Sequence, residues 1–107
     1  MRLPCPYLGG EVEWTEERAH HVATRHPELI PVHVDRVGAA LADPDEVIRD
    51  REYPNTRLFS RQFEDLMDGK SVVVALVSTP TPDVRHWIVT AWVTGRPPKG
   101  DVEWKRP

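Results

Sequence analysis

The run Ser71-Val72-Val73-Val74-Ala75-Leu76-Val77-Ser78 constrains this chain more than any other stretch. Six consecutive apolar residues, four of them valine, show no polar alternation and are too short for a free-standing helix. They read as a strand at the middle of a sheet, buried on both faces. The segments around it must supply neighbouring strands and cover.

Period-two patterning surrounds that run. Val47 and Ile48 open a first strand over residues 46–51, and Tyr53-Pro54-Asn55 is a turn. Residues 56–63 form a second strand, with Arg57, Phe59, Arg61 and Phe63 on one side and Leu58, Ser60 and Gln62 on the other. Asp68-Gly69 turns the chain into the central run, and residues 79–83 make a rigid proline-bearing loop. In the fourth strand, residues 84–94, Trp87, Val89, Ala91 and Val93 alternate with His86, Ile88, Thr90, Trp92 and Thr94. The purely apolar side is expected to take helices, and the mixed side to be the working surface. Residues 95–100 read as a proline-rich turn, and 101–106 as a short closing segment anchored by Trp104.

The N-terminal part has helical spacing. Thr15 is a good N-cap, Glu16 and Glu17 suit the positive end of the helix dipole, and Pro27 stops the helix near His26. Ala19, Val22, Ala23 and His26 share the packing stripe. Arg18, His21 and Arg25 share another, which sets an imidazole between two guanidiniums. Such a stripe can hold a phosphate and keep a neutral base beside it. It can equally be a solvated face whose arginines balance Glu17 and Glu28. A second helix fits residues 32–42, with Pro31 at its start and Val34, Val37, Ala40 and Leu41 in register, and Asp43-Pro44-Asp45 ends it. The expected architecture is one α+β domain of two N-terminal helices packed on one face of a four-stranded antiparallel sheet. Residues 1–10 form an irregular lead, 11–45 the helical part and 46–106 the sheet.

Composition narrows the function. The net charge is −3, with five arginines against ten acids in residues 1–50 and five basic against two acidic residues in 85–107. A long duplex footprint is not expected of such a chain, while this charge distribution leaves room for contact with a few nucleotides. Cys5 is the single cysteine, so neither an internal disulfide nor a cysteine metal cluster can form, and it reads as a free thiol near a loose terminus. His20 and His21 point to different sides of their helix, which disfavours a zinc site with His26, so no metal or other cofactor is expected. No apolar run approaches bilayer length and the first residues lack a signal-peptide core, so a cytoplasmic protein without membrane contact is expected.

Taken in order, W-T-E-E-R-A-H-H-V-A-T-R-H-P-E-L, D-P-D-E-V-I, R-L-F-S-R, S-V-V-V-A-L-V and W-I-V-T-A-W-V-T span most of the chain. This order resembles the phage-associated nuclease domains grouped with barnase, EndoU, the colicin-type tRNases and RelE toxins (the BECR fold). The resemblance implies a metal-independent endoribonuclease, of toxin or phage-derived type, that cleaves RNA through the ribose 2′-hydroxyl. It implies His21 or His26 as general base or acid, Arg25 and Arg61 as phosphate clamps and Thr90 as a positioning donor. Arg18, Arg57, Ser60, His86 and Trp92 would bind substrate, with Trp92 able to stack on a base. RNA is the implied partner, with an antitoxin or immunity-type protein as a second. The alternative is a non-catalytic module of the same fold that holds RNA or a partner protein.

Overall fold

The computed structural model describes residues 1–80 and 82–107. The valine-rich strand lies where its composition demands. Strands β1 (Arg2–Cys5), β2 (Gly10–Glu13), β3 (Glu46–Arg49), β4 (Thr56–Gln62), β5 (Ser71–Ser78), β6 (His86–Thr94) and β7 (Asp101–Lys105) form one sheet in the order β1-β2-β6-β5-β4-β3-β7. β5 is thus the middle strand of seven. All pairings are antiparallel except that of β2 with β6, which are parallel and meet at Glu13 and Trp87.

The expected four-stranded antiparallel sheet is therefore corrected to a seven-stranded mixed one. The three extra strands are short and carry turn-forming or charged residues. Residues 1–10 are not irregular: Pro4 sits in edge strand β1, where a missing N–H costs no ladder bond. A 3₁₀ turn (Pro6–Leu8) with Gly9 at φ 72° then closes the β1–β2 hairpin. Cys5 is a free thiol, but its terminus is not loose: it ends β1 and lies fully buried in the main core, where desolvation raises its pKa. The closing segment is strand β7, paired with β3. Thr81, in the expected 79–83 loop, lies outside the described residues.

Helix α1 (Glu16–Arg25) begins where Thr15 Oγ1 accepts from the Arg18 amide at 3.1 Å. It packs on β6 through Val22, with Ala19 and Ala23 beside it. Helix α2 (Val34–Ala42) starts later than its apolar spacing suggests and buries Val37, Ala40 and Leu41 against β1, β4 and β5. The main core lies between these helices and the sheet face bearing Val47, Phe59, Val72, Val74, Leu76, Ala91 and the partly buried Val93.

The other face has its own cluster of Ile48, Leu58, Val73 and Ala75, with Trp92 packed on it. Its cover is set by topology. β6 and β7 run parallel with three strands between them, so residues 95–100 must cross that face, a lateral span of roughly 19 Å. Six residues manage this only when nearly extended, a conformation Pro97-Pro98 favours. The strap lands at Gly100, where an added Cβ would stand 2.6 Å from the Arg49 carbonyl oxygen and from Ile48 Cγ2.

Candidate functional site

The alternation expected in β6 breaks at one residue. β5 and β6 slip register between Ala75 and Leu76, so Ala75 faces Thr90 but Leu76 faces Ile88, leaving Val89 as the extra residue of a bulge. Thr90 and Trp92 stay on the strap side, whereas Ile88 joins the main core and His86 turns toward Ser78. The mixed face expected from strict alternation is thus split between the two sides of the sheet.

This split decides which expected residues meet. Arg61 is on the helix side, 3.7 Å from Asp43, with its guanidinium over Phe63. Thr90, opposite Ala75, faces the strap side, and its hydroxyl is buried with no hydrogen-bond partner among the described residues. Ser60 is also on that side and is buried, and Trp92 is part of its apolar packing. On α1, Arg25 is exposed and Arg18 Nε stands 3.8 Å from Glu17. His21 has its pKa lowered by desolvation and then by Arg18 and Arg25, as its flanking implied. His26 is a corner residue. Its amide caps α1 by donating to Val22, its carbonyl accepts from Leu29 and Ile30, and Nδ1 is 3.5 Å from Glu28. Among the described residues, no hydrogen bond or ion pair joins His21, Arg25 or His26 to Arg61 or Thr90. The expected catalytic set is not assembled.

Two of the expected binding residues do lie in a convergent cluster at the other end of the helix-side face. Arg57 is roughly 13 Å along β4 from Arg61. Its Nε donates to Glu103 at 2.8 Å. Arg49 Nε donates to the same carboxylate at 2.9 Å, and the Tyr7 hydroxyl at 2.7 Å. Glu103 reaches them because β7 carries a bulge there: Trp104 pairs with Val47 and Val102 with Ile48, leaving Glu103 between. Tyr7 is fixed edge-on to Phe59, with ring centres 5.8 Å apart. His86 lies at the same end of the face, with no hydrogen bond to the cluster among the described residues: desolvation, and then the Arg57 charge, lower its imidazole pKa, and its Nδ1 lies 2.6 Å from Ser78 Oγ.

The electrostatics follow from the contacts. Burial alone would raise the Glu103 pKa, but the three donors outweigh it and hold the carboxyl at about 2. Desolvation and the same hydrogen bond push Tyr7 up to about 12. Near neutral pH the cluster therefore holds an anionic Glu103, two guanidiniums, a protonated phenol and a neutral imidazole. His86 also borders a cleft of about 260 Å³ between β2 and the start of β6, lined by Arg2, Glu11, Glu13 and Arg85. There Arg85 bonds Glu13 at 2.6 Å.

Sequence reasoning missed Tyr7, Arg49, Ser78 and Glu103. The available signal was modest: Arg49 and Arg57 share parity with the core residues Val47 and Phe59, so two cations point into the helix side. Among the described residues no group of three or more His, Cys, Asp or Glu side chains is placed to hold a metal ion. No family model, curated protein or solved structure matches the chain.

Proposed function

We propose that this chain is an endoribonuclease that cleaves RNA by attack of a ribose 2′-hydroxyl on the adjacent phosphate, working at the His86–Arg57–Glu103–Tyr7 cluster. The observation that carries the reading is a guanidinium, Arg57, tied through Glu103 to a phenol and a second guanidinium, with the His86 imidazole at the same end of the sheet and within reach of its charge. That set contains each element the reaction needs: a base, cations for the phosphoryl oxygens, and a proton-bearing group for the leaving oxygen. In the tautomer whose Nδ1–H donates to Ser78, His86 Nε2 keeps a free lone pair and takes the 2′-hydroxyl proton. Arg57 and Arg49 hold the pentacoordinate phosphate. The Tyr7 phenol turns from its hydrogen bond with Glu103 to protonate the departing 5′-oxygen, and Glu103 keeps both arginines in place. The motif order resembling the barnase, EndoU, colicin and RelE group supports the same reaction, with the working residues moved from α1 to the sheet end. An antitoxin or immunity-type partner is part of this proposal.

A second reading, a binding module without turnover, is favoured by one observation: Glu103 already satisfies both guanidiniums, as a purely structural network would. The test is incubation of the protein with mixed RNA in chelator. Cleavage leaving 2′,3′-cyclic phosphate ends, reduced about 100-fold or more by His86→Ala and by Arg57→Ala and unchanged by His21→Ala, is expected. Cleavage indifferent to the first two substitutions removes the site, and RNA retained but uncut establishes the module.

A further inference from the structure

On the strap side, independent of the cluster above, a hollow of about 340 Å³ lies between the sheet and the start of the crossing segment. That is within the ~300–1,000 Å³ typical of small-molecule sites. Its floor is a row of polar residues across four strands: Glu46 of β3, Ser60 and Gln62 of β4, Ser71 of β5 and Thr94 of β6, roofed by Arg96 and Pro97. Strand parity explains the row. Each of these residues alternates with one facing the helices, so at this end of the sheet the face that carries Leu58, Val73 and Ala75 further along turns hydrophilic.

The hydrogen-bonding capacity left over is specific. Ser60 is 93% buried as a residue and borders the hollow, and no side-chain hydrogen bond among the described residues uses its hydroxyl. Gln62 spends its amide on the Gly69 carbonyl at 2.9 Å, which leaves its carbonyl oxygen free to accept. Thr94 Oγ1 accepts from the Arg96 amide at 3.1 Å, which leaves its proton free to donate. Among the described residues the Glu46 carboxylate has one ion pair, with Lys105 at 3.8 Å, and no side-chain hydrogen bond, so it keeps accepting capacity. The Arg96 guanidinium has no ion pair among the described residues. Acceptors on β3 and β4 with Ser60 among them, donors at the end of β6, and Ser71 between complement a ring with adjacent hydroxyls, each of which both donates and accepts. The lining contains no aromatic face on which a nucleobase would stack.

We infer that this hollow binds a vicinal diol on a single sugar-sized ring, with Glu46 and Gln62 accepting from the hydroxyls, Thr94 and Arg96 donating to them, and Ser60 closing the contact from the floor. The diol can come from a free monosaccharide or from the terminal ribose of an RNA, and the two sources are separable. ¹⁵N-labelled protein is titrated with a panel of free pentoses and hexoses, with a short RNA ending in an intact 2′,3′-diol, and with the same RNA ending in a 2′,3′-dideoxynucleotide. Saturable shifts at the amides of Ser60, Ser71, Thr94 and Arg96 at millimolar ligand are expected, weakened ~10-fold by Ser60→Ala and by Glu46→Gln. Shifts with the monosaccharides assign a free sugar, and shifts with the diol-ended RNA alone assign a terminal ribose. Equal shifts with the dideoxy-ended RNA, shifts reproduced by inorganic phosphate, or none with any ligand overturn the assignment. Because Ser60 is buried, retention of the wild-type amide spectrum outside the hollow is the folding control, and Glu46→Gln, at a partly exposed position, gives the second readout.

Discussion

Replacing Glu103 by Gln keeps the side-chain shape and removes one charge, so it isolates what the carboxylate contributes at the sheet end. The carboxylate receives three hydrogen bonds of 2.7 to 2.9 Å, two of them from guanidiniums. Its pKa falls from 4.5 to about 2, a preference for the ionised form of roughly 3 kcal/mol. The side chain keeps 24% of its exposure, and solvent screening brings the expected cost down to about 2 kcal/mol. For a domain of this length that is a fall in Tm of roughly 10 °C. The pH dependence has a definite sign. A depressed carboxylate pKa gives stability that is present above the unfolded-state value and lost as pH falls toward the folded value, so the wild-type advantage should shrink between pH ~5 and pH ~2. Urea unfolding followed by tryptophan fluorescence, on both proteins at each pH, measures it. Other carboxylates titrate in the same range, which is why only the difference between the two proteins counts. A cost at pH 7 below about 0.5 kcal/mol, or a difference constant down to pH 2, would refute the reasoning.

Three further outcomes follow from the same structure. Arg57→Gln removes a positive charge that lowers the His86 pKa, so an NMR titration of the His86 ring should move to higher pH, and an unmoved titration would show that the two groups do not interact. Gly100→Ala forces a Cβ to 2.6 Å from two atoms at φ 146° and should cost about 1–3 kcal/mol, whereas Gly95→Ala, with open space around it, should change little. Comparative denaturation of the two settles it. Thr90→Val deletes a buried hydroxyl that has no partner among the described residues, so stability should hold or rise, and a loss above about 1 kcal/mol would refute its being unpartnered.

The legible part of the fold was the part written in strong periodicity. The valine run gave the central strand to the residue, and Thr15 gave the start of α1, because each signal is local. β1, β2 and β7 were illegible for a physical reason. Edge and hairpin strands of four or five residues tolerate Pro4, Gly10 and alternating charges, which in a sequence resemble loops. The site was harder still. Assigning faces in β6 by strict alternation grouped His86 with Thr90, and a single bulge at Val89 put them on opposite sides of the sheet. A second bulge, at Glu103, produced the carboxylate that organises the cluster. Bulges arise from pairing with a partner strand, and neither has a signature in its own residues.

Strand β7 is gripped along one flank only, by β3, and is tethered to the rest through the stretched 95–100 crossing. Its amides should therefore exchange with solvent sooner than those of β5, which is clamped on both flanks. When β7 peels away, Glu103 departs with it and Arg49 and Arg57 lose their shared anion together. Opening of the β3–β7 seam thus also acts as a valve on the paired charge of Arg49 and Arg57, and amide exchange in the presence of an oligonucleotide would show whether cargo wedges that seam open or zips it shut.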